Sequence, residues 1–226
     1  MSFSGFPTET FQFLAELETN NSKQWFDDNR NRYEDFVKAP SFDLIAALAE
    51  PLGALNPRLK AEPRVNGSLK RINRDVRFSK DKTPYNPRIH LVFWTGDHPN
   101  RSAGMHFVIS ADGIGFGAGV FGLEPSALAG FRDRICDPSD RNDLLAAEEA
   151  ARAVGCDWDA PDLKKLPRGF EADDPWEHLL RRKVFVMRTL SDPRHPEWLI
   201  NDKCTDGIMD LTRACLPLLA WLTKSS

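Results

Sequence analysis

Residues 90–95 read HLVFWT, and residues 104–119 read GMHFVISADGIGFGAG. Aromatic and β-branched residues fill both runs, which is typical of strands bounded by turn residues. Asp112-Gly113 is a two-residue hairpin signal between strands at 104–111 and 114–119. The sequence therefore predicts an antiparallel β-meander in which Ile109 lies opposite Phe116. The glycines of the last strand indicate a bulge, or a close approach by a ligand or another backbone.

Helical patterns lie on both sides of this meander. Apolar residues recur there at helical spacing, and proline or asparagine marks most of the ends. Helices are predicted at 7–17, 23–38, 40–53, 124–135, 142–154, 175–182 and 205–222, with a last strand at 183–190 and an irregular segment at 156–174. Pro51 is expected to end the third helix early. The sequence therefore predicts an α+β fold of one domain over residues 1–226, with helices from both ends of the chain covering an antiparallel sheet.

A strongly basic stretch precedes the meander. Residues 58–88 contain ten Lys or Arg and three Asp or Glu, which is a net charge of +7. The whole chain has 30 basic and 33 acidic residues, so the other 195 residues carry 20 and 30, a net charge of −10. A cationic region on an acidic body attracts an anion to one place and repels polyanions elsewhere. This stretch is therefore the first candidate for a functional site.

Residues 70–88 of that stretch, KRINRDVRFSKDKTPYNPR, combine cations, carboxylates and a tyrosine hydroxyl. Guanidinium and ammonium groups bind phosphate or carboxylate. The predicted anion-binding residues here are Arg71, Arg74, Arg77, Lys80 and Lys82. If the site is catalytic, Asp75 or Asp81 would act as base or orienting group and Tyr85 as proton donor. The alternative is a structural loop in which the two aspartates pair with its cations.

The local structure of this stretch bears on that choice. Ile72, Val76 and Phe78 alternate with polar residues and favour a strand at 71–78, followed by a loop at 79–84. Such a strand places Arg74 on its apolar face, where burial is tolerable only with a partner. The direction of the Arg74 side chain is therefore the most informative single observation.

Three further sets of residues are candidates. Arg168, in a segment flanked by Pro and Gly, could present its guanidinium to an anion or belong to a surface turn. Trp25 and Tyr33 share a helix face and belong either to an aromatic core stripe or to a pocket wall. His90 and His106 are predicted on neighbouring strands about 13 Å apart, which is too far for a shared metal ion.

Missing motifs exclude several classes of protein. The four cysteines are separated by 20, 48 and 11 residues, so they form no CxxC zinc site and are expected to be reduced thiols. The chain has no HxH, HExxH, GxSxG or P-loop motif, and no metal or other cofactor is predicted. It also lacks a run of about 18 apolar residues and a basic, apolar leader. These absences predict a cytoplasmic protein that does not contact a membrane.

Three segments together resemble a known family. They are NNSKQWFDDNRNRY (20–33), RINRDVRFSKDKTPY (71–85) and LKKLPRGFEADDP (163–175). Their order and spacing are similar to those of the bacterial conserved-hypothetical family named domain of unknown function 2461, over nearly the whole chain. That family has no established reaction, so the resemblance implies a shared core or site and assigns no catalytic role. The matching positions are Asn21, Trp25, Phe26, Tyr33, Arg71, Arg74, Asp75, Arg77, Phe78, Asp81, Lys82, Pro84, Tyr85, Pro167, Arg168 and Gly169.

The sequence supports three functions. The first is a pocket that binds a phosphorylated or carboxylated small molecule, with or without catalysis. The second is binding of single-stranded nucleic acid, with Phe78, Tyr85 and Trp94 stacking on bases; the acidic remainder of the chain opposes it. The third is a non-catalytic interaction protein whose basic stretch docks an acidic partner. The oligomeric state is left open.

Overall fold

The computed structural model describes residues 3–99, 101–171, 176–189 and 196–224. The predicted α+β class is confirmed, since helices and a five-stranded antiparallel sheet make up the fold. The helices are α1 (Thr8–Thr19), α2 (Lys23–Asp28), α3 (Arg30–Tyr33), α4 (Ala39–Leu55), α5 (Pro125–Cys136), α6 (Pro138–Ala153), α7 (Glu177–Leu180) and α8 (Cys204–Thr223). A π-helical segment at Glu34–Lys38 joins α3 to α4, and a 3-10 helix spans Glu197–Ile200. The predicted start of a helix at Pro175 lies outside the described residues.

The first helices follow the predicted pattern with two corrections. The helix predicted at 23–38 is interrupted at Asn29, so that α2 ends at Asp28 and α3 begins at Arg30. Ser22 begins α2 as its N-cap, because its side chain accepts a hydrogen bond from the Trp25 backbone N–H. Pro51 does not end the third helix early, and α4 continues to Leu55. Leu48 and Leu52 lie on either side of the proline and are fully buried. Their packing outweighs the one backbone hydrogen bond that a proline removes.

The sheet contains the predicted meander and one strand that the sequence did not indicate. The strands are β1 (Arg88–Trp94), β2 (Gly104–Ser110), β3 (Gly113–Val120), β4 (Cys156–Trp158) and β5 (Phe185–Thr189), in the order β1-β2-β3-β5-β4. The hairpin turn falls at Ala111 and Asp112, one residue earlier than predicted. β4 lies in the segment predicted to be irregular, and it pairs antiparallel with β5.

The glycines of β3 are explained by a neighbouring backbone. Gly119 lies opposite Val186 of β5 in the antiparallel pair. A Cβ atom at Gly119 would lie 2.1 Å from the Phe185 carbonyl oxygen, and one at Gly117 would lie 2.6 Å from that of Met187. Larger residues would push β5 away from β3. Of the two interpretations of these glycines, the close approach of another backbone is therefore the one observed.

The residues separate into two compact units. The first contains residues 1–93, 106–115 and 192–210, and the second contains residues 94–105, 116–191 and 211–226. Phe13 and Leu44 are fully buried in the first unit, as are Leu144 and Phe185 in the second. A single domain over the whole chain stays a prediction. No described helix combines the length and the apolar character needed to cross a membrane.

Candidate functional site

Residues 71–88 of the basic stretch form an irregular hairpin in the first unit, called the hairpin below. The strand predicted at 71–78 is wrong. Only Asn73 and Tyr85 form a β-bridge between the two arms of the hairpin. The Arg74 N–H donates to the Pro84 carbonyl at 2.8 Å, and the Asn86 N–H donates to the Ile72 carbonyl at 2.8 Å. Prolines 84 and 87 have no N–H, so the second arm cannot supply a continuous ladder to the first.

Asn21 and Tyr85 anchor the base of this hairpin. The Asn21 side chain donates to the Tyr85 carbonyl at 2.9 Å and accepts from the Tyr85 N–H at 3.0 Å. The Tyr85 ring is 5% exposed, and it stacks on Phe26 with 4.1 Å between ring centroids. The amide side chain thus pairs with a backbone as a neighbouring strand would, and it joins the hairpin to the turn between α1 and α2. The role of Tyr85 as a proton donor stays a prediction.

Arg74 turns toward the acidic residue and the threonine of its own loop. Its side chain is 23% exposed, and its Nη1 lies 2.5 Å from Asp81 Oδ2. The same nitrogen donates to the Thr83 carbonyl at 3.1 Å and to the Thr83 hydroxyl. The Thr83 N–H, Arg74 and the Thr83 hydroxyl lower the pKa of Asp81 to about 2. Arg74 therefore has the partner that its burial requires, and Asp81 is ionised at neutral pH.

The tip of the hairpin is braced by its own residues and carries an exposed ring. Arg77 pairs with Asp75 at 2.6 Å, and Lys82 Nζ donates to the Val76 carbonyl at 2.9 Å. Phe78 is 94% exposed. Arg71 and Lys80 are exposed, and they form no ion pair within the part of the chain that the structure describes. The stretch therefore divides into a paired loop and several cations that face solvent.

A cavity of about 480 Å³ lies beside the base of the hairpin. Its charged lining residues are Arg74, Arg88, Glu18, Asp81 and Asp112, and Ser110 contributes a hydroxyl. The other predicted anion-binding residues of the stretch do not line it. The cavity therefore combines two guanidinium groups with three carboxylates, and it is not uniformly basic.

Arg88 is the cation of this cavity that sequence reasoning missed, and the lining residues Glu18, Ser110 and Asp112 were not predicted either. Arg88 is exposed and forms no ion pair with any other described residue, whereas Arg74 is already paired with Asp81. It begins β1 directly after Pro87. A cation that follows a proline at the start of a strand was a usable signal, because strand pairing places the backbone of such a residue at the end of the sheet.

His90 and His106 contact each other, so the predicted separation of 13 Å is wrong. Their Nε2 and Nδ1 atoms are 3.0 Å apart. The Thr95 N–H donates to the Ala103 carbonyl, whereas the prediction paired Thr95 with Gly104. A one-residue shift between two strands changes which side chains share a face. In the observed register the two imidazoles lie on the same face, two residues apart.

The histidine pair is neutral at physiological pH. Burial, with the charges of Arg88 and Lys70, lowers the pKa of His90 to about 4. Burial, with the neighbouring His90 and Lys70, lowers the pKa of His106 to about 3. Burial also lowers the pKa of Lys70. No three His, Cys, Asp or Glu side chains come together as metal ligands among the described residues.

The remaining predicted site residues lie elsewhere. Tyr33 is 8% exposed and packs on Phe13 and Phe26, and burial raises its pKa to about 12. Trp25 lines a separate surface cleft between α1 and α2. Arg168 is exposed in a turn of the second unit. Their roles as pocket wall and anion ligand stay predictions.

The model of the conserved hypothetical protein family DUF2461 matches residues 9–221 of the chain. The chain belongs to this family. The DUF2461 match includes the whole hairpin, its Asn21 anchor and the residues that line the cavity. No curated protein and no solved structure matches the chain.

Proposed function

We propose that the cavity beside the hairpin binds a small molecule that carries a phosphate or carboxylate group. The observation that carries this proposal is Arg88, an exposed guanidinium in the cavity wall without an ion pair among the described residues. Such a group offers two parallel hydrogen bonds to a planar or tetrahedral anion. Arg74, held by Asp81 and Thr83, is already ordered next to it.

The carboxylates of the cavity narrow the class of ligand. Glu18 and Asp112 are exposed and line the same space as Arg88. A molecule with negative charge alone would be repelled by them, whereas hydroxyl or amino groups would donate to them. The ligand is therefore an anion that also carries hydrogen-bond donors, such as a sugar phosphate or a hydroxylated carboxylate.

The electrostatics support binding more than acid–base chemistry at this place. The pKa of Asp81 is lowered to about 2, which makes its carboxylate a weak base at neutral pH. Hydrogen bonds from Arg77 lower the pKa of Asp75 at the hairpin tip. The cations outside the cavity add to the attractive field for an approaching anion.

The nucleic-acid alternative has less support. Of the three aromatic side chains that were expected to stack on bases, Tyr85 is 5% exposed and Trp94 is 2% exposed. Only Phe78 is accessible, and stacking on a strand requires several accessible rings.

The test is ligand-induced thermal stabilisation at low salt, using inorganic phosphate, a sugar phosphate and malate as probes. We expect at least one of the organic anions to raise the melting temperature more than inorganic phosphate does. Arg88→Gln should remove this effect. Arg71→Gln is the matched control, because Arg71 is an exposed arginine of the same stretch outside the cavity. No stabilisation of the wild-type chain by any probe, or equal loss in both variants, would contradict the proposal.

A further inference from the structure

The tip of the hairpin carries an exposed phenyl ring, and the loop that carries it is closed by its own hydrogen bonds. Phe78 is 94% exposed. Its loop is closed by the Ser79 N–H bond to the Val76 carbonyl at 3.3 Å and by the Lys82 ammonium bond to the same carbonyl at 2.9 Å. A rigid loop that holds an aromatic side chain in water loses little conformational entropy when that ring is buried by a partner. This is the character of an anchor residue at an interface.

A groove of about 770 Å³ lies on the same unit. Its walls are the N-terminal segment, α4 and the 3-10 helix, and its apolar lining includes Phe3, Pro7, Ala46, Ala47 and Ile200. Ile200 is 55% exposed, which is unusual for a large aliphatic side chain. The groove therefore presents apolar surface to solvent, with small alanine side chains that leave room for a ring.

The walls of the groove are fixed in place. The Phe6 N–H donates to the Leu199 carbonyl at 3.0 Å and joins the N-terminal segment to the 3-10 helix. Gly5 has a φ of +96°, and a Cβ atom there would lie 2.3 Å from the Ile200 carbonyl carbon. The two segments can meet this closely only because residue 5 is a glycine. The groove is thus preformed.

The rim of the groove is acidic. Asp43 and Glu50 are exposed on α4, and they line the groove. Neither carboxylate forms an ion pair in the described part of the chain. The groove is complementary to the hairpin tip, where Arg77 and Lys80 flank the exposed phenyl ring; Arg77 is paired with Asp75, and Lys80 has no ion pair among the described residues. Both surfaces have an apolar centre. The charged residues around it are basic at the tip and acidic at the groove.

We propose that Phe78 of one copy of this chain docks into the α4 groove of a second copy, with the unpaired Lys80 facing the acidic rim of Asp43 and Glu50. The contact joins two different surfaces, so each copy keeps one free tip and one free groove. Such head-to-tail contacts continue into a ring or an open chain. One anchor ring gives a small interface, so the association depends on concentration, and salt weakens it.

Sedimentation velocity of the full chain over a range of concentrations tests this. We expect the average sedimentation coefficient of the wild type to rise with concentration and to fall back toward that of a monomer in high salt. Phe78→Asp and Ala47→Arg should each abolish the rise. Phe121→Asp is the matched control, since Phe121 is a partly exposed ring of the second unit, and it should associate as the wild type does.

Mixing the two variants gives the sharpest readout. A Phe78→Asp chain keeps its groove, and an Ala47→Arg chain keeps its ring, so an equimolar mixture should form a 1:1 dimer and nothing larger. If Ala47→Arg changes the circular dichroism spectrum, Glu50→Lys replaces it, because Glu50 is exposed and its substitution should not disturb the fold. Arg88→Gln should leave the association unchanged, which separates this contact from ligand binding in the cavity.

Three results would overturn the proposal. The first is a wild-type chain that is monomeric at every concentration. The second is association that persists in Phe78→Asp. The third is a monomeric chain that uses Phe78 to bind vesicles of anionic phospholipid or a single-stranded oligonucleotide, because the occupant of the contact would then be different.

Discussion

The hairpin of the first unit and helix α6 of the second unit both carry ion pairs, but these pairs differ in exposure. In the hairpin, Arg77 pairs with Asp75 while its side chain is 76% exposed. On α6, Glu148 pairs with Arg152 at 2.6 Å while its side chain is 3% exposed. Pairs in solvent are screened and contribute little to stability, whereas a buried carboxylate requires its partners. The exposed hairpin pair therefore orders a loop and contributes little to the free energy of unfolding, whereas the pair of Glu148 on α6 contributes to the stability of the folded chain.

A second ion pair of the second unit also has low exposure to solvent. Arg134 is 8% exposed, lies 3.0 Å from Asp140 and stacks on the Trp221 ring at 3.9 Å. Hydrogen bonds from Lys224 and Arg134 lower the pKa of Asp140. The guanidinium of this pair is thus covered by an aromatic ring. Charge in the hairpin is left accessible to a ligand or partner.

The largest effect of a single substitution is expected at Glu148. Burial alone would raise the pKa of this carboxyl, but the neighbouring His178, Trp158 and Arg152 together lower the pKa by more, so it lies below its ordinary value. Glu148→Gln removes the negative charge at a 3% exposed position. Among the described residues, Arg152 then keeps only its exposed pair with Asp157, and His178 loses a neighbouring carboxylate. We expect a loss of about 3 kcal/mol in the free energy of unfolding, measured with urea. Glu149→Gln, on the exposed side of the same helix, should change it by less than about 0.5 kcal/mol.

The histidine pair is a third case, in which two half-buried imidazoles stay neutral at physiological pH. The pKa is about 4 for His90 and about 3 for His106, whereas both titrate near 6.5 in the unfolded chain. Below pH 6.5 the unfolded state therefore binds protons that the folded state does not. We expect each histidine to lower the free energy of unfolding by roughly 3 kcal/mol as the pH drops from 6.5 to 4.

The measurement is urea unfolding at several pH values in wild type and His106→Gln. Glutamine keeps a hydrogen-bonding side chain and does not titrate, so the variant should show a shallower dependence over the same interval. His98→Gln is a control, because His98 is an exposed histidine of the other unit. A wild type whose stability is flat from pH 6.5 to 4 would show that the pair is accessible to protons in the folded state.

The sequence predicts most of the fold because most elements carry a repeating pattern. The meander follows from its aromatic and β-branched runs and its turn residues, although the turn lies one residue earlier than Asp112-Gly113. The strand at Cys156–Trp158 has three residues, too few for a period, and exists because it pairs with β5. Pairing between distant segments is not encoded in a local pattern.

Less of the candidate site could be predicted from the sequence, because its contacts also join segments that are distant in the chain. The spacing of Arg71, Arg74 and Arg77 groups them, but only Arg74 lines the cavity. A single residue of register between β1 and β2 decides whether His90 meets His106. Partners such as Asn21 and Tyr85 are 64 residues apart, and only the folded chain brings them together.

The base of the hairpin is expected to show an intermediate effect. Asn21→Ala removes both hydrogen bonds to the Tyr85 backbone and leaves its N–H and carbonyl unpaired. We expect a loss of about 2 kcal/mol in the free energy of unfolding, together with faster hydrogen exchange at the Tyr85 amide. Asn31→Ala, an exposed amide on α3, should change stability by less than about 0.5 kcal/mol. If Asn21→Ala left the free energy of unfolding unchanged, the stacking of Tyr85 on Phe26 would be sufficient to anchor the base of the hairpin.

The smallest effect is expected at the hairpin tip. Arg77→Gln removes the ion pair with Asp75, and both side chains are exposed, so the urea midpoint should match that of the wild type. The loop should nevertheless loosen, because the Asp75 carboxylate also accepts from the Arg77 backbone N–H and loses its cationic partner. Faster hydrogen exchange at the Ser79 amide with an unchanged midpoint is the expected combination. A large drop in stability would show instead that the tip is part of the fold, and the contrast with Glu148 would then fail.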